Sequence, residues 1–388
     1  MWKCPACDSG NLEPLARFGR SVTSDGLIVD DITDNVFCFG CGLVSNLAGP
    51  RGKELNFYRK YKLHSENTGA EAVSISNNQI VSANRQLVEY LYESKLLPKS
   101  GRLLDIGCGK GLFLREFRLK FPKWEVAGIE LSDTAFVELK KEMPDVPLHH
   151  GGFENSPFRN EKFDLVVAAN VLEHVPDPLP FLSGVESVMS PNGLAYIVVP
   201  NFENNPSDLI TFDHLSRFTP KSIVWAFNAV GLNPALLNVS SSRVSMSVLA
   251  NRGKCESASI DSPAFAHASV AWLATAYDVF DKLSELPTDH RVGIYGTGLL
   301  ALGAHALGRI SAEKVAAVFD DNPHFQGTTK LGRRVSSLAE CVELGITDIT
   351  FSANPVYFEQ MRARVSANCP GVKLWTLPAL EFSRQIET

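Results

Sequence analysis

Unbroken apolar runs alternate with helix-spaced segments along the middle of this chain. "RLLDIGCG" is an apolar run that enters a glycine-rich turn, and "WEVAGIE", "FDLVVAAN" and "GLAYIVVPN" repeat the pattern. Short apolar runs bounded by turn residues read as strands covered on both faces. "QLVEYLYESKLL" reads as a helix, and between the last two strands Leu182, Val185 and Met189 fall at helical spacing. Strands alternating with helices predict an α/β protein with a parallel sheet. After "NRGKCESASIDSP" the pattern restarts: Leu273, Tyr277, Phe280 and Leu283 mark a helix, and "RVGIYGTG" and "KVAAVFDDN" open a second α/β set. The expected organisation is a cysteine-bearing segment over 1–55, a connector over 56–80, an α/β unit over 81–252 and a second over 253–388.

Composition narrows the classes. With 388 residues, 45% hydrophobic and 21% charged, the chain has material for two or three domains and ample core. A net charge of −6 and a pI of about 5.9 argue against a broad nucleic-acid surface and an RNA substrate. No run is long enough for a membrane span, and no basic-then-apolar leader is visible, so the expected location is cytoplasmic with no membrane partner. The expected partner is a small-molecule substrate; oligomeric state is not legible.

Four of the eight cysteines stand as two pairs, Cys4 with Cys7 and Cys38 with Cys41. Two thiolates three positions apart reach one metal ion when a tight turn points them to one side, and Gly42 suits that turn. Four such thiolates predict a closed tetrahedral zinc site whose role is structural, holding together a piece too small for its own core. Nothing βαβ-like surrounds the pairs, which disfavours a redox motif.

"LLDIGCGKGLFL" places Asp105, Gly107, Cys108, Gly109 and Gly111 between a buried strand and a helix. The glycines let backbone approach a ligand, and the helix start offers N–H groups. Glu130 ends the next strand, where a carboxylate accepts ribose hydroxyls. Dinucleotides use a similar arrangement, but Asp105 inside the turn repels a pyrophosphate and suits the cationic end of S-adenosylmethionine. Here residues 81–250 resemble the class I S-adenosylmethionine-dependent methyltransferases, through "LLDIGCGKG", "GIELSD", "FDLVVAANVLEHVPDP" and "GLAYIVVPN". The resemblance implies a Rossmann-like domain in which Asp105 and the glycines hold the methionine part and Glu130 the ribose. Leu131, Phe153 and Glu154 would lie near the adenine, and Asn170 would face the cofactor.

Two histidines follow the later strands: His174 in "VLEHVPDP" and His214 in "TFDHLSRFTPKSI". Both are expected at the C-terminal side of the sheet, where open α/β folds place their sites. Asp213 precedes His214 and is expected to orient its ring, making His214 the candidate general base. The order of parts, a four-cysteine segment, an aromatic connector, a methyltransferase core and a C-terminal Rossmann-like α/β domain, resembles the zinc-containing deoxysugar C-methyltransferase family. That resemblance implies a nucleotide-linked keto-sugar substrate, with His214 removing a proton beside the ketone so that the enolate carbon takes the methyl group. His174 would be a helper, and Tyr58 and Tyr61 would close the site. The chain reads Phe212-Asp213-His214 where the family commonly has Tyr-Glu-His, so Phe212 stands where a phenol would meet the sugar. An O-methyltransferase acting on a sugar or other small-metabolite hydroxyl is the alternative.

The second glycine turn, "GIYGTGLLA", puts Gly296, Gly298 and Ala301 in dinucleotide spacing, with Asp320 ending the following strand. Methyl transfer moves no hydride, so NAD would have no chemical task, and the two glycines are expected to contact the nucleotide sugar instead. His305 is expected to pack within its helix.

Overall fold

The computed structural model describes residues 2–52, 54–60, 73–76, 79–239, 244–253 and 260–379. Tyr61 lies outside them.

The central unit is a seven-stranded sheet: β1 (Gly101–Ile106), β2 (Trp124–Glu130), β3 (Leu148–His150), β4 (Phe163–Ala169), β5 (Met189–Pro200), β6 (Leu232–Asn238) and β7 (Ser245–Arg252). Across the sheet the order is β3-β2-β1-β4-β5-β7-β6. The first five strands run parallel, and β7 is antiparallel to both neighbours. The unbroken apolar runs follow from burial on both faces. Leu104, Val166 and Ile197 pack in one core, while Leu103, Val167 and Tyr196, the alternate positions, pack in another. The first helix, Ala83–Ser94, starts at a Ser82 cap and stops where Lys95 turns left-handed (φ 58°), short of the expected Leu97. Met189 also departs from expectation. The helix ends at Val188 and Met189 begins β5 opposite Phe163, because Pro191 disfavours helical backbone at the residue before it.

Leu273, Tyr277, Phe280 and Leu283 are buried on the helix Ala264–Ser284. It leads into a six-stranded sheet in the order Thr329–Lys330, Arg333–Ser336, Val315–Phe319, Val292–Tyr295, Asp348–Phe351, Lys373–Trp375. Only the first two strands are antiparallel. The cysteine-bearing segment builds a four-stranded sheet from Leu12–Phe18, Thr33–Cys38, Val44–Asn46 and, from far along the chain, Ser216–Arg217. Its apolar residues join both larger cores: Cys38 and Leu43 pack with Phe218 and Ile223, while Phe37 and Val44 pack with Leu273 and Phe280. The N-terminal piece is therefore wedged against the segment that carries His214. Among the described residues no helix is long and apolar enough to cross a membrane.

Candidate active site

The first glycine turn lies at the C-terminal end of β1. Gly107, Gly109 and Gly111 have φ of 74°, 55° and 77°, a region that costs other residues energy. Gly107 also lies so close to the loop after β4 that an added Cβ would meet Val171 Cγ2 at 2.5 Å. The amides of Gly107 and Cys108 donate to the Ile129 carbonyl at 2.8 and 3.0 Å, tying the turn to β2. Glu130 accepts from the Gly109 amide at 2.7 Å and the Ser132 amide at 2.6 Å. Asp105 is 2% and Glu130 8% exposed. Burial raises both carboxyl pKa values, and Glu130 pushes Asp105 further up. A cationic ligand end would relieve the conflict that burial sets up at Asp105, whereas the negative charge of a pyrophosphate would add to it. Asn170, directly after β4, is left-handed (φ 55°) with its amide on the Val198 carbonyl at 2.9 Å. Leu131 is partly buried and Glu154 exposed. Phe153 packs inward edge-to-face on Phe181, their centroids 5.8 Å apart.

The four cysteines converge as the sequence leads one to expect. Cys4 and Cys41 sulfurs are 3.6 Å apart and Cys7 and Cys38 sulfurs 3.4 Å, and all four lie within 4.8 Å of one another. A tetrahedron with metal–sulfur bonds of about 2.3 Å has edges of about 3.7 Å, so donor type and spacing suit zinc. Hydrogen bonding within the cluster pulls Cys38 down to about 2 while pushing Cys4 up to about 12 and Cys41 higher still. Crowded thiols resist ionising together, and a divalent cation removes that conflict.

The histidines meet at the C-terminal side of the central sheet. Their rings are edge-to-face with centroids 4.8 Å apart. His214 Nδ1 lies 2.5 Å from Asp208 Oδ1. The acid that orients His214 is thus Asp208 rather than its chain neighbour Asp213. Asp213 turns its carboxylate to the amide and hydroxyl of Ser24 in the N-terminal segment, leaving Oδ2 3.6 Å from His174 Nδ1. His174 Nδ1 lies 3.0 Å from the Asp213 carbonyl and 2.9 Å from the Tyr58 hydroxyl, which itself donates to that carbonyl at 3.0 Å. A carbonyl only accepts, so Nδ1 of His174 carries the proton. Phe212 is buried, edge-on to Phe57 at 6.1 Å.

Burial opposes charge on both rings. At His214 the carboxylates of Asp208, Asp213 and Glu173 outweigh burial and raise the pKa to about 9. At His174 burial and the neighbouring His214 charge lower it to about 4. Asp208 is itself presented by Arg217, which is 1% exposed and donates to the Asp208 carbonyl and the Thr211 carbonyl, each at 3.0 Å. Asp208, Arg217, Ser24 and Glu173 escaped the sequence reading. Only the density of polar residues in "SDLITFDHLSR" hinted at the first two.

The second glycine turn is closed by its own surroundings. The amides of Gly296, Thr297 and Gly298 donate to the Phe319 carbonyl, the Asp320 carboxylate and the Ser352 carbonyl at 2.7, 2.9 and 2.8 Å. An added Cβ at Gly296 or Gly298 would meet the Ser352 carbonyl oxygen at 2.6 or 2.5 Å. The adjoining chain thus gives these glycines a structural task, and a contact with a nucleotide sugar stays a proposal. His305 Nδ1 lies 2.9 Å from the Ile310 carbonyl, within its own helix and turn.

Residues 78–237 match the family model described as a methyltransferase domain. The chain carries a class I S-adenosylmethionine-dependent methyltransferase domain. It is 33% identical over 113 residues to an uncharacterized methyltransferase of Schizosaccharomyces pombe, covering 26% of this chain and 41% of that protein. It is 32% identical over 105 residues to the dTDP-4-amino-2,3,4,6-tetradeoxy-D-glucose N,N-dimethyltransferase of Saccharopolyspora spinosa, covering 26% and 41%. It is 27% identical over 170 residues to the C-methyltransferase NovU of Streptomyces niveus, covering 41% and 39%. The chain thus spans about two fifths of the length of these relatives. Asp105, Glu130 and the glycine turn all lie within the matched residues.

Proposed function

We propose that this protein is an S-adenosylmethionine-dependent methyltransferase of a nucleotide-linked keto-deoxysugar, methylating carbon through an enolate. The observation that carries the proposal is the buried His174–His214 pair, with Asp208 on one ring and Tyr58 on the other, set beside the glycine turn. An oxygen or nitrogen nucleophile needs at most one proton acceptor. A carbon nucleophile needs a strong one together with groups that stabilise charge on the ketone oxygen. His214, oriented by Asp208, takes the proton; His174, anchored by Tyr58 and the Asp213 carbonyl, positions the sugar; Phe212 walls the site. Bound S-adenosylmethionine supplies the methyl group. The substrate class is supported by two relatives, one named for a dTDP-sugar and one as a C-methyltransferase. A zinc ion on Cys4, Cys7, Cys38 and Cys41 is proposed as structural, because four thiolates leave no open position.

Deuterium exchange tests the reading. Incubated in D2O with S-adenosylhomocysteine and keto-deoxysugars on dTDP, UDP, GDP or CDP, the enzyme should wash deuterium into the carbon beside one ketone. Turnover without exchange would instead assign methylation to oxygen.

A further inference from the structure

Glu173 occupies the short turn Leu172–His174 and is 1% exposed. Its backbone is pinned, since its carbonyl accepts from the Leu215 amide at 2.7 Å. Its carboxyl group lies within 4.8 Å of ring nitrogens of both His174 and His214, and its Oε2 is buried with no hydrogen-bond partner. The Asp208–His214 and Tyr58–His174 contacts use other atoms, so the mechanism above gives this acid no task. No metal is invoked for this trio, because His214 Nδ1 already faces Asp208 and His174 Nδ1 the Asp213 carbonyl.

We infer that Glu173 is a catalytic residue: in its neutral form it donates a hydrogen bond to the ketone oxygen of the substrate as the enolate forms. The inference rests on the carbon-methylation reading. An ionised carboxylate with an orphaned buried oxygen is costly, whereas the neutral acid is a donor lacking only its acceptor. The charged groups facing it are His214, from the segment after β5, and Asp208 and Asp213 beside that ring; Tyr58 and Arg217 reach the same loops through His174 and Asp208. Burial outweighs the pull of His214 and raises the Glu173 pKa to about 8, so the proton is in place at neutral pH. A neutral acid held in a buried site is an established way to stabilise an enolate oxygen. In the step, His214 takes the proton from carbon, the C–H electron pair becomes the C=C bond, and the carbonyl π pair moves to oxygen. Glu173 holds that oxygen without giving up its proton. When carbon bonds to the methyl group, the oxygen pair returns to C=O and the former methyl–sulfur pair stays on sulfur.

Exchange into a dTDP-linked keto-deoxyhexose, the probe, compares wild type with Glu173→Leu and Glu173→Gln. The leucine variant should exchange roughly 100–1000-fold more slowly, with the S-adenosylhomocysteine Kd unchanged as the check on folding. Glutamine keeps a donor and should stay within about tenfold of wild type. The wild-type rate should fall above about pH 8 as the acid ionises, and the glutamine variant should lose that fall. A leucine variant exchanging at the wild-type rate, or a glutamine variant keeping the alkaline fall, overturns the inference and leaves carbon methylation standing. A wild type that exchanges no keto-sugar proton removes the carbon-methylation reading and the inference with it.

Discussion

His214 and His174 share one buried site yet titrate far apart, at about 9 and about 4. The difference comes from their partners: His214 faces a carboxylate at 2.5 Å, His174 a carbonyl and a phenol. A base acts only when unprotonated, and His214 is protonated below its raised pKa. If His214 takes the proton, wild-type exchange should climb from pH 6 until the Glu173 loss sets in near about 8, and Glu173→Gln, which lacks that loss, should go on climbing toward about 9. If His174 does, no climb appears, because that ring is already neutral above about 4. Asp208→Asn removes the charge that raises His214, so the climb should move toward the ordinary value near ~6.5. Stability follows the same linkage. The raised pKa contributes stability fully below the unfolded-state value and loses it as pH rises through about 9, so a urea midpoint measured against pH should fall across that window in wild type and stay flatter in Asp208→Asn. The sequence pointed to both histidines but to the wrong orienting acid. Asp213 is adjacent in the chain, while Asp208 is brought back by the turn Pro206–Ile210, which Arg217 clamps from inside. A buried arginine binding its own loop leaves no periodic signal.

The two glycine turns look alike in sequence and differ as elements. At Gly107 the missing side chain faces Val171, on the loop that leads to His174. At Gly296 it faces the Ser352 carbonyl, and φ is 100°. Gly107→Ala should therefore disturb the donor turn and the histidine loop together, weakening S-adenosylhomocysteine by more than tenfold in calorimetric titration. Gly296→Ala should cost roughly 2–3 kcal/mol of stability through the backbone clash and positive φ, and leave the S-adenosylhomocysteine Kd alone. A Gly296→Ala protein with wild-type Tm but weakened nucleotide-sugar binding would give this turn a ligand role instead. The buried strands of both α/β units were legible because parallel sheets demand long apolar runs. The spent amides were not, because motif spacing records where glycines stand and not what faces them. Nor was Ser216–Arg217 legible as a strand, since two residues carry no period.

At the scale of the whole molecule, the cysteine-bearing segment and the start of the connector grip the histidine loops. Ser24 holds the Asp213 carboxylate, Asn46 donates to the Phe212 carbonyl at 2.9 Å, Arg51 donates to the Pro176 carbonyl at 2.7 Å, and Tyr58 meets His174. Ser216–Arg217 completes that segment's sheet against Val44–Asn46. A metal on the four cysteines would staple more than the N-terminal piece, because these contacts carry its hold to the site. The first glycine turn, by contrast, rests on β1, β2 and the loop after β4. Loss of zinc should therefore separate two properties that a general unfolding would lose together. In Cys38→Ser, or after chelation, Tm should fall by more than about 5 °C and deuterium exchange should collapse, while S-adenosylhomocysteine still binds the surviving central sheet below the new Tm. Exchange at the wild-type rate in a zinc-free protein would mean that the histidine loops hold their own geometry. Joint loss of exchange and S-adenosylhomocysteine binding would mean that the central sheet leans on the cysteine segment through the shared core of Cys38, Leu43 and Phe218. The retained-binding outcome is expected because that core lies on one face only, and among the described residues the apolar core on the opposite face of β1 and β4 includes none from the N-terminal segment.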